Sequence, residues 1–182
     1  MKKISALLCM VLITAAMANP RYVEVQSEKP GNPGLSGYST IFVGKLNLPA
    51  DLWQTFGYES REAWISVVND VNNNKFRIYM DELAPDKKIV APSAGFNGKE
   101  GLFVKFAYRG FRHNTGTAFT HRVHTMDVTV TIYDNKSKKQ LYTANLGTQT
   151  AGMGKRGWMM NSFEGRLDNQ IYNLCSFIAG KL

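Results

Sequence analysis

The stretch that decides the fold is GLFVKFAYRGFRHNTGTAFTHRVHTMDVTVTIYDNKSKKQLYTANLGTQT, residues 101–150. In residues 126–133, apolar side chains alternate with Asp, Thr and Tyr, which is the period of a half-buried β-strand. A polar turn cluster at 134–138 follows, and a second short run begins after it. The pattern predicts an antiparallel meander with strands at 102–111, 121–133 and 140–146.

Two segments have the 3.6-residue period of an amphipathic helix. The first begins after Ser60, a favourable N-cap, and its apolar face recurs every three or four residues from Trp64 to Val71. We expect the Asn run at 72–74 to end this helix and residues 76–79 to form a strand; the alternative is that the Asn run does not break the helix and residues 76–79 continue it. The apolar face of the last helix comprises Phe163, Leu167, Ile171, Leu174, Cys175 and Ile178.

Short strand candidates at 22–25 and 39–48 precede the first helix, and residues 89–91 can pair briefly. Helices separated by a run of antiparallel strands are typical of the α+β class. We therefore predict a single α+β domain at 39–182, with a mostly antiparallel sheet and two amphipathic helices packed on one face.

The N-terminus has the features of a secretory signal peptide at residues 1–18. Lys2 and Lys3 precede an apolar run, and Ala-Met-Ala at 16–18 matches a small-x-small cleavage site. We expect cleavage before Asn19, a periplasmic or secreted bacterial protein, and no membrane span in the mature chain. A retained signal anchor is the alternative.

Residues 19–38 form an N-terminal arm and a loop rich in Pro and Gly. Three interpretations of this arm remain open. It is an edge strand of its own domain, a flexible tether, or a strand given to a partner.

The charge and the cysteine content give two further properties of the mature protein. Removing Lys2 and Lys3 lowers the net charge from +8 to +6. Of the 2 cysteines, the mature chain retains Cys175, so an intramolecular disulfide is excluded. Because Cys175 lies on the apolar face of the last helix, we predict a buried and unreactive thiol.

Residues 152–157 match G-x-G-x-x-G, the pattern that brings a pyrophosphate to a helix N-terminus in dinucleotide folds. No parallel strand follows the last helix to complete such a unit, and nucleotides are scarce outside the cytoplasm. We interpret this segment as a contact loop and expect no cofactor.

Metal and catalytic patterns are weak. His121 and Asp127 share one side of a regular strand while His124 points to the other, so the three cannot bind one ion together. His113 lies across the tip of the hairpin. The motifs G-x-S-x-G, C-x-x-C and H-E-x-x-H are absent from the sequence. We expect no metal site and favour a non-enzymatic role.

The strand at 102–111 has the most informative surface pattern. One side is predicted to hold Leu102, Val104, Phe106 and Tyr108, and the other Phe103, Lys105, Ala107, Arg109 and Phe111. Cations bind phosphate or carboxylate groups, and aromatic rings pack on sugars. Export argues against nucleic acid. One alternative is that Lys and Arg stems simply shield apolar sheet from aggregation. Another is that a second helix or a loop covers this face and makes its aromatic residues part of the core.

The leading hypothesis is an exported, non-enzymatic envelope protein that binds an anionic envelope polymer or assembles with an envelope protein. The residues predicted to make the contact are Lys105, Arg109, Arg112, Arg122, Lys155, Arg156 and Trp158. One alternative is an exported hydrolase acting on a polymer, with His113, His121 and Asp127 as candidates. Another is a secretion-machinery or fibre subunit that donates the arm at 19–37.

Overall fold

Six strands form one mixed sheet in the computed structural model, which describes residues 23–30, 33–114, 123–149 and 164–182. The strands are β1 (Val23–Lys29), β2 (Thr40–Gly44), β3 (Lys88–Ser93), β4 (Leu102–Asn114), β5 (Val123–Asp134) and β6 (Gln140–Gln149). Their order across the sheet is β1-β6-β5-β4-β2-β3, so β1 and β3 are its edges. With the helices described below, this is an α+β fold.

The centre of the sheet is the meander that the sequence predicts. β4, β5 and β6 are antiparallel neighbours, and Val104 on β4 lies opposite Ile132 on β5. The period-two pattern decides burial. Met126 and Ile132 are fully buried, whereas Thr129 and Thr131 between them are half-buried.

The other side of the sheet differs from the prediction of a mostly antiparallel arrangement. β2 is parallel both to β4 and to β3. The chain between β2 and β3 contains a long helical segment, and such a crossover returns the chain in its original direction. Residues 89–91, predicted to pair only briefly, lie inside the longer strand β3.

The helices are α1 (Arg61–Asp70), α2 (Phe76–Leu83) and α3 (Glu164–Ala179). A π-helical turn at Val71–Lys75 joins α1 to α2, and we call the three segments together the long helix. Short 3₁₀ turns lie at Leu35–Gly37 and Ala50–Trp53. Ser60 is the N-cap of α1, as predicted, because its hydroxyl accepts a hydrogen bond from the Ala63 N–H at 3.1 Å.

The predicted end of the first helix at the Asn run is wrong, and so is the predicted strand at 76–79. The Asn72 side chain is 6% exposed, accepts from the Leu46 N–H at 2.8 Å, and donates to the carbonyls of Leu46 and Val68. The amide oxygen and one amide N–H bond to Leu46, so only the bond to the Val68 carbonyl involves the helix backbone, and the helix continues through the π turn.

The helices and the sheet share one hydrophobic core. It joins residues of the long helix, α3 and the meander, including Trp64, Phe76, Met80, Leu167, Ile171, Leu174, Val128 and Val130. Cys175 is fully buried in this core, as predicted, and its burial raises the pKa of the thiol. None of the helices in the described part of the chain is long and apolar enough to span a bilayer.

β1 comes from the predicted N-terminal arm and pairs with β6 in the same sheet. Val23 lies opposite Thr148, Lys29 lies opposite Thr143, and a bulge interrupts the register after Val25. The strand that a donor mechanism would use is therefore paired within its own chain.

Candidate functional site

One face of β1, β6, β5 and β4 presents hydrophilic side chains. We call it the polar face, and it comprises Glu24, Gln26, Ser27, Lys105, Arg109, Arg112, Asp127, Thr129, Thr131, Thr143 and Asn145. On β4, β5 and β6 these residues alternate with the buried residues of the core, apart from the bulge in β4. The face exists because these three strands have polar residues at about every second position, and the exposed strand β1 extends it.

Hydroxyl and amide side chains cross the centre of the polar face in rows. Thr129 donates to Asn145 at 2.7 Å, and Asn145 donates to Ser27 at 3.0 Å. In the next row, the hydroxyls of Thr131 and Thr143 lie 3.3 Å apart. These cross-strand pairs join short polar side chains of neighbouring strands across the centre of the polar face.

Arg112 is the centre of an ion-pair network at one end of the polar face. Its Nε and one Nη donate to the two carboxylate oxygens of Asp127 at 2.7 and 2.8 Å. The same Nη donates to Glu24 at 2.9 Å. The hydrogen bonds to Asp127 and Glu24 raise the pKa of Arg112 above its usual value. This predicted contact residue is therefore already engaged within the sheet.

Asp127 remains an ionised carboxylate in this network. Burial by itself would raise its pKa, but hydrogen bonds from Arg112 and Gln26 outweigh burial and leave the pKa below its usual value. An ionised carboxylate accepts hydrogen bonds and has no proton to donate. As a catalytic candidate, Asp127 thus lacks the raised pKa of a general acid.

The two other predicted cations on β4 are more available than Arg112. Arg109 is exposed and donates to the Gln26 side chain at 3.0 Å. Lys105 is exposed and has no hydrogen-bond or ion-pair partner among the described residues. Lys105 lies opposite Thr131, so its ammonium borders the rows of hydroxyl groups.

The predicted assignment of β4 residues to the two faces of the sheet is correct as far as Arg109, and it is reversed after that residue. A bulge between Tyr108 and Gly110 shifts the register, so Phe111 lies opposite the buried Met126. The Phe111 ring packs at 4.6 Å from Phe56, next to the core. Its predicted place beside Arg109 is therefore wrong. The glycine after Arg109 was the available signal, because glycine within a strand often marks a bulge.

An aromatic cluster borders the polar face at the end opposite Arg112. Phe103 and Tyr133 are paired across β4 and β5, and Phe96 packs on both, with centroid distances of 4.8 and 5.2 Å. Phe103 is 6% exposed, whereas Phe96 is 39% exposed. Phe96 was not among the residues predicted from the sequence, because it lies in a loop without periodicity.

The remaining predicted contact residues, Arg122, Lys155, Arg156 and Trp158, lie outside the described residues. The same is true of His121, of Phe163 on the predicted face of the last helix, and of the glycine motif at 152–157. The strand residues that flank the two undescribed segments, 115–122 and 150–163, lie at one end of the sheet. Asn114 lies opposite Val123, and Gln149 lies opposite Thr125. These described strand ends lie at the Arg112 end of the sheet.

The described residues provide no arrangement of side chains that supports a metal site or a hydrolase site. No group of three or more His, Cys, Asp or Glu side chains suited to an ion occurs in the part of the chain that the structure describes. His113 lies opposite His124 in the backbone register, but the described side chains do not include either imidazole.

Comparison with known proteins yields a general likeness. No family model matches the chain, and no curated protein matches it. A solved PelC dodecamer from Paraburkholderia phytofirmans is similar, with a TM-score of 0.39, 12% identity, and coverage of 84% of this chain and 95% of that chain. A dodecamer of a substituted variant of the same protein gives a TM-score of 0.38 and 13% identity, over 81% and 96% of the two chains.

Proposed function

We propose that this chain is an exported, non-enzymatic binding protein and that its polar face binds an anionic polymer of the bacterial cell envelope. The observation that supports this most directly is the pair of exposed cations on β4. Lys105 has no partner among the described residues, and Arg109 has one neutral hydrogen-bond partner and an electrostatic interaction with Asp127. Both stand beside hydroxyl and amide groups that can bind a hydrated ligand.

The proposal requires that the polar face is open. We propose that the long helix and α3 pack together on the opposite face of the sheet. In support, Phe76 of the long helix stacks on Phe106 of β4 at 4.8 Å, and Leu167 of α3 belongs to the same core. Phe106 alternates along β4 with Lys105, so its side chain leaves the sheet on the other side.

The spacing of the cations favours an extended ligand. Lys105 and Arg109 are four residues apart on one strand, which corresponds to about 13 Å at 3.3 Å per residue. A small anion reaches one of them, whereas a polymer reaches both. Two weak contacts made by one chain strengthen each other, because the second contact forms at a high effective concentration.

The proposed location in the periplasm or the medium rests on the predicted signal peptide at 1–18. There, anionic polymers carry carboxylate or phosphate groups, which ammonium and guanidinium groups bind. The hydrolase and fibre-subunit alternatives stay predictions.

The test compares neutralised variants in a binding titration with polymannuronate, a carboxylated polymer, at low and high salt. We expect Lys105→Gln/Arg109→Gln to bind about three- to tenfold more weakly, because each exposed charge contact contributes a modest free energy. Binding by the unaltered protein should decrease with salt. Polyphosphate serves as a second anionic probe.

The matched control is Arg61→Gln/Arg77→Gln, which removes the same charge from exposed positions on the long helix. This variant should bind like the unaltered protein. Equal weakening of both variants would indicate a general charge effect. Equal binding by all three proteins, or no binding to either polyanion, would refute a contact at the polar face.

A further inference from the structure

The aromatic cluster at the end of the polar face has a partly exposed ring on a firmly held loop. Phe96 and Tyr133 form a T-shaped pair, with an interplanar angle of 88° and a centroid distance of 5.2 Å. It also covers Phe103. Phe96 contacts both of these rings, yet 39% of the residue remains exposed.

The loop that carries Phe96 is fixed by Asn135, which is 0% exposed. The Asn135 amide donates to the Asn97 side chain and to the Lys99 carbonyl, each at 2.7 Å. Its backbone N–H donates to the Gly101 carbonyl at 2.9 Å. Phe96 is therefore held in place before any ligand arrives, which reduces the entropy lost on binding.

Lys105, which has no partner in the described part of the chain, is next to this cluster. Lys105 is two residues from Phe103 on the same side of β4, a distance of about 7 Å along the strand. Opposite them on β5, Thr131 and Tyr133 have the same separation. An aromatic pair, a hydroxyl and an ammonium thus form one continuous patch.

We propose that the Phe96–Tyr133 pair is a stacking subsite for a sugar ring, so that the polymer bound by the polar face is an acidic polysaccharide. The inference rests on the proposed function and adds the chemical class of the ligand. An aromatic ring packs against the C–H groups of a sugar, and the carboxylate of that sugar or its neighbour reaches Lys105. The hydroxyl and amide rows then contact the sugar hydroxyl groups.

The experiment uses the full mature chain and three probes of similar length: polymannuronate, poly-glutamate and dextran. Polymannuronate has both sugar and charge, poly-glutamate has charge alone, and dextran has sugar alone. We expect polymannuronate to bind more tightly than either of the others. The variant is Phe96→Leu, which retains an apolar cover for Phe103 and removes the flat ring.

We expect Phe96→Leu to weaken polymannuronate binding about three- to tenfold, the range that aromatic ring contacts provide. Poly-glutamate binding should be unchanged. Ile78→Ala is the control, because Ile78 is a similarly exposed apolar residue on the long helix, at 49%. Thermal unfolding of each variant checks that the fold is intact.

The outcomes separate this inference from the proposed function. If poly-glutamate binds as tightly as polymannuronate, or if Phe96→Leu affects neither, the sugar subsite is refuted and the anionic-polymer proposal stands. If neither acidic probe binds, the proposed function fails and the inference fails with it. If dextran binds as tightly as polymannuronate, charge makes no contribution and both are overturned.

Discussion

The guanidinium of Arg112 on β4 lies 2.9 Å from the carboxylate of Glu24 on β1, although β5 and β6 separate the two strands. Three strand spacings amount to about 14 Å, so both side chains must extend across the sheet. They meet above Gly147 of β6. A Cβ built on Gly147 would lie 2.8 Å from Arg112 Nη2 and 3.1 Å from Glu24 Oε2.

Gly147→Ala should break this contact and lower the free energy of unfolding by about 1–2 kcal/mol, measured by urea denaturation. The new methyl group would also lie 2.9 Å from the Thr125 side chain, which has little freedom within a strand. Gly110→Ala is the control, because a Cβ there meets nothing within 4 Å. Equal stability of the two variants would contradict the proposed role of Gly147.

The arginines of the polar face should separate into one that stabilises the fold and one that binds ligand. Arg112→Gln removes the cation that is hydrogen-bonded to Asp127, whose side chain is 13% exposed, and we expect a loss of about 1–2 kcal/mol in urea denaturation. Arg109→Gln should change stability by less than about 0.5 kcal/mol.

In polymannuronate titrations the relative effect of the two variants should reverse. Arg109→Gln should weaken binding more than Arg112→Gln does, and it should do so in a protein of unchanged stability. A stable Arg112→Gln protein with strongly reduced binding would show that Arg112 contacts the ligand despite its network.

Asn72 should be more important for stability than its neighbour in the Asn run. Asn72→Ala leaves the buried Leu46 N–H and C=O without their partner, and we expect a loss of about 3 kcal/mol. Asn73→Ala, at an exposed position of the same π turn, should change stability by less than about 0.5 kcal/mol. Similar losses in both variants would mean that the turn itself, not the Asn72 side chain, limits stability.

Glu28 should make the stability depend on pH. Hydrogen bonds from Lys181 and Tyr142, each at 2.7 Å, lower its pKa in the folded protein. Because the unfolded chain then binds the proton more tightly, the stabilisation is present above the ordinary glutamate pKa, about 4.3, and is lost as pH falls through the folded value.

Glu28→Gln should therefore unfold at lower urea concentration than the unaltered protein at pH 7, and the difference should shrink in acid. Glu59→Gln, at an exposed position, should show no such dependence. A difference that persists unchanged at low pH would point to packing rather than to charge at Glu28.

Cys175 should be unreactive in the folded protein. Its side chain is fully buried and its pKa is raised by burial, so little thiolate is present or accessible. Iodoacetamide should label it slowly at pH 8 without denaturant and rapidly in urea above the unfolding midpoint. Fast labelling of the native protein would contradict the described position of α3.

Local patterns in the sequence determined the meander, the cap at Ser60, the face of the last helix and the burial of Cys175. Each depends on neighbours close in the chain, because strand period and capping repeat within a few residues. The side of β4 that carries Lys105 and Arg109 followed from the same alternation.

Only the tertiary structure decided the features that depend on distant partners. Asn72 continues a helix because Leu46 satisfies its amide, and Phe111 joins the core because a bulge shifts its register. Arg112 is engaged because Glu24, far away in the chain, reaches it over a glycine. A sequence pattern shows which residues are polar or apolar, but the hydrogen-bond partner of a polar group is chosen by packing, and packing joins residues that the chain order keeps apart.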